Sequence, residues 1–466
     1  MAEDIEARFE RYCAAMVSTL GHADRHQPAR WYLQGLVLPG GRKSIEPMAA
    51  RLQPQDVRSV HQSMHHLVAD SDWSDARMLA AVAQQVVPEL AKDSGACFWI
   101  ADDTGFVKKG THSVGVAHQY CGRLGKTENC QVAVSLSFAS ARGSVPVDYR
   151  LYLPREWAED KARREYAKVP SEIGFATKGE IALAQVEAAL AAGLPRGVFL
   201  GDAAYGDEAA LRDRLTALEL RYAVGIRPGT TVWWEMYQPA TPPVSDRMRR
   251  ARTRLVRDET HQPISVLELA QRLPAHCFRT VSWREGVAYK LSSRFARVRV
   301  RAAHRDLPRA EEWLLIEWPK GEAQPTRYWF STLAAETSFK QLVATTKARW
   351  MIERDYQELK SELGLAHFEG RSWRGFHHHA SLCIAAYGFL ILERLRATGK
   401  KNAARFQEPP LPAGFRPRGA GTHAAPRPLV DRYNALPLGP SHRPLPCSMP
   451  LLRPVSSRWK TTFVTQ

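Results

Sequence analysis

Three acidic positions, far apart in the chain, stand where chemistry could be done. The apolar run in "WIADDTGF" ends on Asp102-Asp103, the run in "VFLGDAAYGD" ends on Asp202, and Glu353 lies inside "RWMIERDYQELK". Helical spacing of roughly 100° per residue places Arg349, Glu353, Tyr356 and Lys360 within an arc of about 60°. Ile352, Leu359 and Leu363 fall just to one side of that stripe, and Arg354, Glu358 and Glu362 point the other way. Taken alone, each feature has an ordinary explanation. The stripe is satisfied by a surface helix with i,i+4 ion pairs worth a few tenths of a kcal/mol, Asp103 before Thr104-Gly105 can begin a turn, and Asp202 can cap the helix that follows it. Taken together they suit divalent-cation chemistry. Mg²⁺ takes hard oxygen ligands and keeps several waters, and two ions about 4 Å apart stabilise the attacking and departing oxygens of an in-line phosphoryl displacement.

Positioning such acids requires strands and a long helix. Residues 1–92 read as helical: "VRSVHQSMHHLVAD" sets Val57, Val60, Met64 and Leu67 at helical spacing, "SDARMLAAVAQQVV" repeats the pattern, and "LPGGRKSIEPMAARL" supplies a turn, a Ser44 cap and a short helix. A turn followed by a basic helix is compatible with a DNA-reading helix-turn-helix, and equally with any small helical bundle. From 93 to 227 the pattern turns to α/β, with buried strands "ACFWIADD", "CQVAVSLSFAS", "GVFLGDAAYGD" and "YAVGIRP" and helices around "KGEIALAQVEAALAAG" and "EAALRDRLTALEL". Ligands in α/β sheets gather at the carboxyl ends of strands, where Asp102-Asp103 and Asp202 are expected.

Residues 228–336 break the alternation and read as a basic β-rich insertion. Arg247, Arg249, Arg250, Arg252, Arg254 and Arg257 crowd one stretch, and Arg297, Arg299 and Arg301 alternate with Ala296, Val298 and Val300 as on a strand with one basic face. The arginine run is placed to track a DNA backbone. Trp283, Trp313 and Trp329 are expected to pack a core rather than to stack on a base. Helices are expected at about 337–364 and 377–397, and His377-His378-His379 reads as a helix start with mixed packing and surface roles. From 401 to 466 the chain is rich in Pro and Arg, a composition expected to be disordered.

A formal net charge of +17 over 466 residues and a pI near 9.7 suggest a polyanionic partner, of which nucleic acid is the commonest. The longest uncharged apolar run, 380–391, is too short to span a bilayer, so no membrane is expected. Seven scattered cysteines without a C-x-x-C pair suggest reduced thiols and a cytoplasmic setting.

These residues resemble those of bacterial insertion-sequence transposases of the DDE superfamily, which share an RNase H-like fold with retroviral integrases. More narrowly, the chain resembles the subgroup with a β-strand insertion between its second Asp and its Glu. Asp103-Thr104 matches the context of that subgroup's first acid, and Asp202-Ala203-Ala204-Tyr205 matches its Asp-x-x-Tyr/Phe motif. Arg349, Glu353 and Lys360 match the spacing of its Tyr-Arg-Glu-Lys signature, with Thr346 at the Tyr position. "KKGTHSVGVAHQYCG", "NCQVAVSL" and "HFEGRSWRGFHHH" are similar too, and the resemblance runs from about 10 to 400, beyond which the tail departs from the usual family ending.

The resemblance implies an α/β RNase H-like core interrupted by the insertion, preceded by a helical DNA end-binding domain. It implies Asp103, Asp202 and Glu353 as catalytic metal ligands, with Asp103 preferred over Asp102 for its following Thr. It implies two Mg²⁺ ions per site, with Mn²⁺ as a substitute, and Arg349 and Lys360 as phosphate contacts. It further implies double-stranded DNA as partner, both the element's inverted repeats and the target, a homodimer in a synaptic complex, and a nucleoid-associated bacterial location. A non-transposing nuclease of the same fold and an inactive DNA-binding derivative are the alternatives.

Overall fold

The structure, a computed structural model, describes residues 4–122, 124–234, 262–285, 290–303 and 309–399. The arginine run Arg247–Arg257 and the tail 401–466 lie outside the described residues. Five helices come first: α1 (Ile5–Val17), α2 (His26–Val37), α3 (Ile45–Leu52), α4 (Val57–Ala69) and α5 (Asp75–Ala91). Their apolar stripes meet in one cluster that includes Tyr12, Met16, Leu33, Met64, Val82 and Val86. Asp4 caps α1 and Ser74 caps α5 through their side chains.

Strands β1 (Cys97–Val107), β2 (Ala117–Cys121), β3 (Lys126–Ser140) and β4 (Gly143–Leu151) follow, β3 pairing antiparallel with each of the other three. Short helices α6 (Arg155–Ala158) and α7 (Lys161–Tyr166) lead to α8 (Lys178–Ala191), which opens on a capping box between Thr177 and Glu180. Next come β5 (Val198–Gly201), α9 (Ala203–Gly206), α10 (Ala209–Ala217) and β6 (Tyr222–Ile226). Strand β5 pairs parallel with both β1 and β6.

The later strands prolong this sheet rather than build another. They are β7 (Thr231–Trp233), β8 (Ile264–Ser265), β9 (Arg279–Glu285), β10 (Lys290–Ala302), β11 (Glu311–Glu317) and β12 (Arg327–Ser331), with α11 (Val266–Arg272) between β8 and β9. Strand β12 hydrogen-bonds to β6, so among the described residues one mixed sheet of twelve strands runs β2-β3-β1-β5-β6-β12-β11-β10-β7-β8, with β4 on β3 and β9 on β10. Strands β11 and β12 form the antiparallel pair anticipated from "EWLLIEW" and "TRYWFST".

The stretch expected as one helix over 337–364 is instead four successive coils. These are α12 (Phe339–Lys347), a 3₁₀ turn (Ala348–Trp350), α13 (Met351–Gln357) and a π turn (Glu358–Glu362). Helix α14 (Trp373–Gly399) then packs on α1, α2, α4, α5 and β4. The helical segment and the sheet therefore share one hydrophobic core, which contains Leu382, Ile384, Tyr387 and Phe389 of α14. No helix of the described residues is long and apolar enough to cross a membrane.

The three histidines at the start of α14 are all buried, so the expected surface role is not met. His378 lies between the carbonyls of Val68 and Trp73 and stacks on the Trp73 ring, 3.8 Å between centroids. His379 bonds the Tyr32 hydroxyl at 2.8 Å and the Gly364 carbonyl at 3.0 Å. Burial holds both imidazoles down to a pKa of about 4, so they are neutral posts joining α14 to the first five helices.

Candidate active site

The acids of β1 do not terminate it, as the sequence suggested; the strand continues for four residues beyond Asp103, to Val107. What ends near them is the parallel pairing. Strand β1 is matched to β5 only through Phe98–Val198, Trp99–Phe199 and Ile100–Leu200. Past Ile100 one side of β1 is open. Continuing the same register sets Asp102 opposite Asp202, and in-register residues of parallel strands face the same side. Asp202 lies just beyond β5, where its carboxylate accepts the Ala204 N–H at 2.9 Å and caps α9. Helix α9 is held against β6 by a close backbone approach: a Cβ at Gly206 would run into the carbonyl oxygen of Gly225.

The two neighbouring acids of β1 part company. Asp102 is matched across β3 to Ser135, whose hydroxyl bonds that of Tyr356 on α13. Arg349, just before α13, donates from Nη1 to Asp102 Oδ2 at 2.7 Å. Asp102 thus faces the helical segment that carries Glu353. Asp103 points to the other side, where Lys178 at the start of α8 forms an ion pair with it. Of the two neighbours, for which the sequence favoured Asp103, it is Asp102 that lies on the Arg349 side, since pleat alternation sends them to opposite faces.

Burial pushes the Asp102 carboxyl up to about 7, with Asp103 and Asp202 adding to the effect and Arg349 opposing it. Burial also works against the Arg349 charge, but Asp102, Asp202, Glu353 and Tyr356 outweigh it and hold the guanidinium above its ordinary value. Of these groups it is Asp102 that Arg349 touches directly. Glu353 itself is exposed, with Arg284 of β9 as a second charged neighbour. That guanidinium lies 3.5 Å over the ring of Trp350. Lys360, in the π turn, donates to the Gly105 carbonyl at 3.1 Å and lies 5.0 Å from the Phe106 ring centre. Arg349, Tyr356 and Lys360 all reach β1 or β3, while Glu353 stands at the rim. Tyr205 is buried next to the acids, and its hydroxyl has no hydrogen-bond partner among the described residues. Among the described residues no three His, Cys, Asp or Glu side chains come close enough to enclose one ion.

Other sequence-derived candidates have internal partners. Thr346, at the signature's Tyr position, is buried and donates to the Val343 carbonyl at 2.9 Å. Arg297 lies over Trp313 and Phe339 and donates to the Thr337 carbonyl at 2.6 Å. Arg299 lies over the same Trp313 and pairs with Glu311. Trp313 and Trp329 are buried in a small core with Phe295 and Leu342, against which Trp283 packs. Arg284 and Tyr356 were not singled out for roles from the sequence; Tyr356 lay on the stripe, but Arg284 comes from a distant strand and carried no local signal.

The mixed sheet thus brings Asp102 and Asp202 to one side of adjacent parallel strands, on the face where Arg349 joins the Glu353-bearing segment to β1. In accord with this, the family described as DDE superfamily endonuclease matches residues 15–290, and the chain belongs to that family. The chain is also similar to the probable transposase for insertion sequence element IS701 of Microchaete diplosiphon, with 31% identity over 221 residues, which is 47% of this chain and 53% of that one. It thus spans about half the length of this curated relative.

Proposed function

We propose that the chain is a DNA transposase, which cuts DNA at the inverted repeats of a mobile element and joins the freed 3′-OH to target DNA. The observation that carries this reading is the placement of Asp102 and Asp202 in one register of adjacent parallel strands, with Arg349, on the segment that bears Glu353, bonded to Asp102. Asp102 and Asp202, in register on adjacent strands, are hard oxygen donors of the type Mg²⁺ takes, and the Tyr205 hydroxyl buried beside them is unpartnered among the described residues. The order β4-β3-β1-β5-β6, an antiparallel meander followed by two parallel strands, supports an RNase H-like core. The strands from Thr231 to Ser331 correspond to the insertion.

In this reading Asp102, Asp202 and Glu353 are the ligands, and Asp103 is a supporting residue. Mg²⁺ or Mn²⁺, two ions when bound, supplies activation of the attacking water and stabilisation of the departing oxygen. The protein's own groups do the rest. Arg349 lies against Asp102 and is placed to offer its remaining N–H groups to a phosphate, a task for which its planar fork is suited. Lys360 carries charge along β1 to Gly105 and offsets the repulsion between the carboxylates and a polyanion. Tyr356, anchored on Ser135, fixes the rotation of α13 and so the position of Glu353. Two copies pairing two element ends in a synaptic complex complete the proposal.

The test is incubation of the purified protein with Mg²⁺ and a labelled duplex carrying its element's inverted repeat. Nicking at the repeat boundary is expected, and alanine at Asp102, Asp202 or Glu353 should abolish it while leaving DNA binding largely intact. Full activity of Glu353→Ala would sink the assignment.

A further inference from the structure

Beyond Lys360 the surface next to β1 carries an aromatic and basic shelf that the catalytic reading does not use. Tyr166, at the end of α7, is 59% exposed. Its hydroxyl oxygen accepts from Arg371 Nη1 at 3.1 Å, and its ring lies 6.2 Å from that of His112, tilted by 55°. Lys109, His112 and Arg371 are all exposed. The shelf is a built feature: the Arg371 carbonyl accepts the Val114 N–H at 3.0 Å, and Lys108 Nζ donates to the Phe368 carbonyl at 2.7 Å. These bonds tie the loop after β1 to the segment after the π turn, the same two pieces of chain that carry Asp102 and Lys360.

The donors are arranged for an anion. Tyr166 Oη already accepts, so its O–H remains to donate. Arg371 is exposed and its guanidinium carries N–H groups beyond the one given to Tyr166, and His112 adds a ring N–H. We infer that Tyr166, Arg371 and His112 form a second contact for a DNA backbone phosphate, away from the scissile bond. This rests on the transposase reading for its partner. The chain of cations Arg349, Lys360, Lys108 and then Arg371 follows β1, and from Asp102 to Val107 the strand rises about 17 Å at ~3.3 Å per residue. For a duplex laid along β1, at ~3.4 Å per base pair, that rise corresponds to about five base pairs.

The test uses the full chain and a duplex containing the inverted repeat and its flank, with affinity measured across a salt series. Arg371→Gln and Tyr166→Phe are each expected to weaken binding about threefold to tenfold. For Arg371→Gln the slope of log K against log salt should fall by about 0.9. Ethylation of a phosphate about five to eight base pairs from the cut should interfere with binding by the parent but not by Arg371→Gln. Unchanged melting temperatures keep the comparison fair, since both side chains are at the surface. Parent-like affinity and slope in both variants overturn the shelf and leave the transposase reading standing, as does interference confined to phosphates at the cut. A parent protein that binds no duplex overturns both.

Discussion

The two adjacent acids of β1 make opposite predictions, and Asp102→Asn beside Asp103→Asn is the comparison to make. Asp102 is only 14% exposed at its side chain, and its carboxyl is pushed up to about 7 from 3.8, by burial first and by the neighbouring aspartates next. The shift already nets the attraction of Arg349 against these effects. At ~1.4 kcal/mol per pK unit, ionising it in the folded protein costs on the order of 4 kcal/mol. The sign follows from the folded carboxyl holding its proton more tightly than the unfolded one. Stability is undiminished below about pH 4, falls as pH rises towards 7, and is flat beyond. Asparagine does not ionise. Asp102→Asn should therefore match the parent in urea melts near pH 4 and exceed it by a few kcal/mol at pH 8, while nicking falls by a factor of about 10² to 10³ or more for loss of a group acting on the developing charge. Asp103 stands in a partly exposed pair with Lys178, worth no more than about 1 kcal/mol. Asp103→Asn should keep nicking within about fivefold, since it leaves the Asp102–Arg349 pair intact. An active Asp102→Asn with an inactive Asp103→Asn, or an Asp102→Asn no more stable than the parent at pH 8, would refute the assignment of faces.

Three further outcomes can be checked with less effort. Asp355, buried between the hydroxyls of Ser144 at 2.5 Å and Tyr387 at 2.7 Å, is pushed by burial to about 7. An amide can satisfy both hydroxyls, so Asp355→Asn should show a rising stability advantage in melts from pH 5 to pH 8 and little below. Gly206→Ala, by forcing α9 off the Gly225 carbonyl, should destabilise by about 1–3 kcal/mol and lower nicking, read as the drop in melting temperature together with the nicking rate. Lys347 pairs with Glu317 at 2.6 Å under the rings of Trp283, Phe295 and Trp329. Lys347→Ala, which strands a buried carboxylate, should cost about 3–5 kcal/mol in denaturant melts, whereas the paired change Lys347→Met with Glu317→Leu should cost far less.

Much of this arrangement could be read from residue types. The apolar runs before Asp102 and Asp202 became adjacent strands, and Arg349, Tyr356 and Lys360 did come to one side. The face of β1 was not legible, because its core-facing pattern does not alternate: Phe98, Trp99, Ile100 and Ala101 are buried on both sides. With helices on each face, hydropathy gives no vote between Asp102 and Asp103, and only register with Asp202 decides. The breaks at Ala348 and Glu358 were hidden for a similar reason, since an apolar stripe drifts by only tens of degrees across one 3₁₀ or π turn. Arg297 and Arg299 read as one basic face of a strand, open to DNA, because a single strand does not reveal what the next strand places beneath it. Here it is Trp313, in register with Arg299.

One feature of the fold reaches further than packing. Helix α14 is buried against α1, α2, α4 and α5 and against β4 alike, with His378 and His379 pinning it at one end and Tyr12 donating to the Ala385 carbonyl at 2.8 Å along its length. Among the described residues the helical part and the sheet are thus packed on one and the same helix. If the helical part grips the element's end, the protein is a ruler: the number of base pairs between the gripped sequence and the cut is set by solid protein. Adding one base pair between them would move the cut in sequence, not in space, and turn the gripped face by about 34° around the duplex axis.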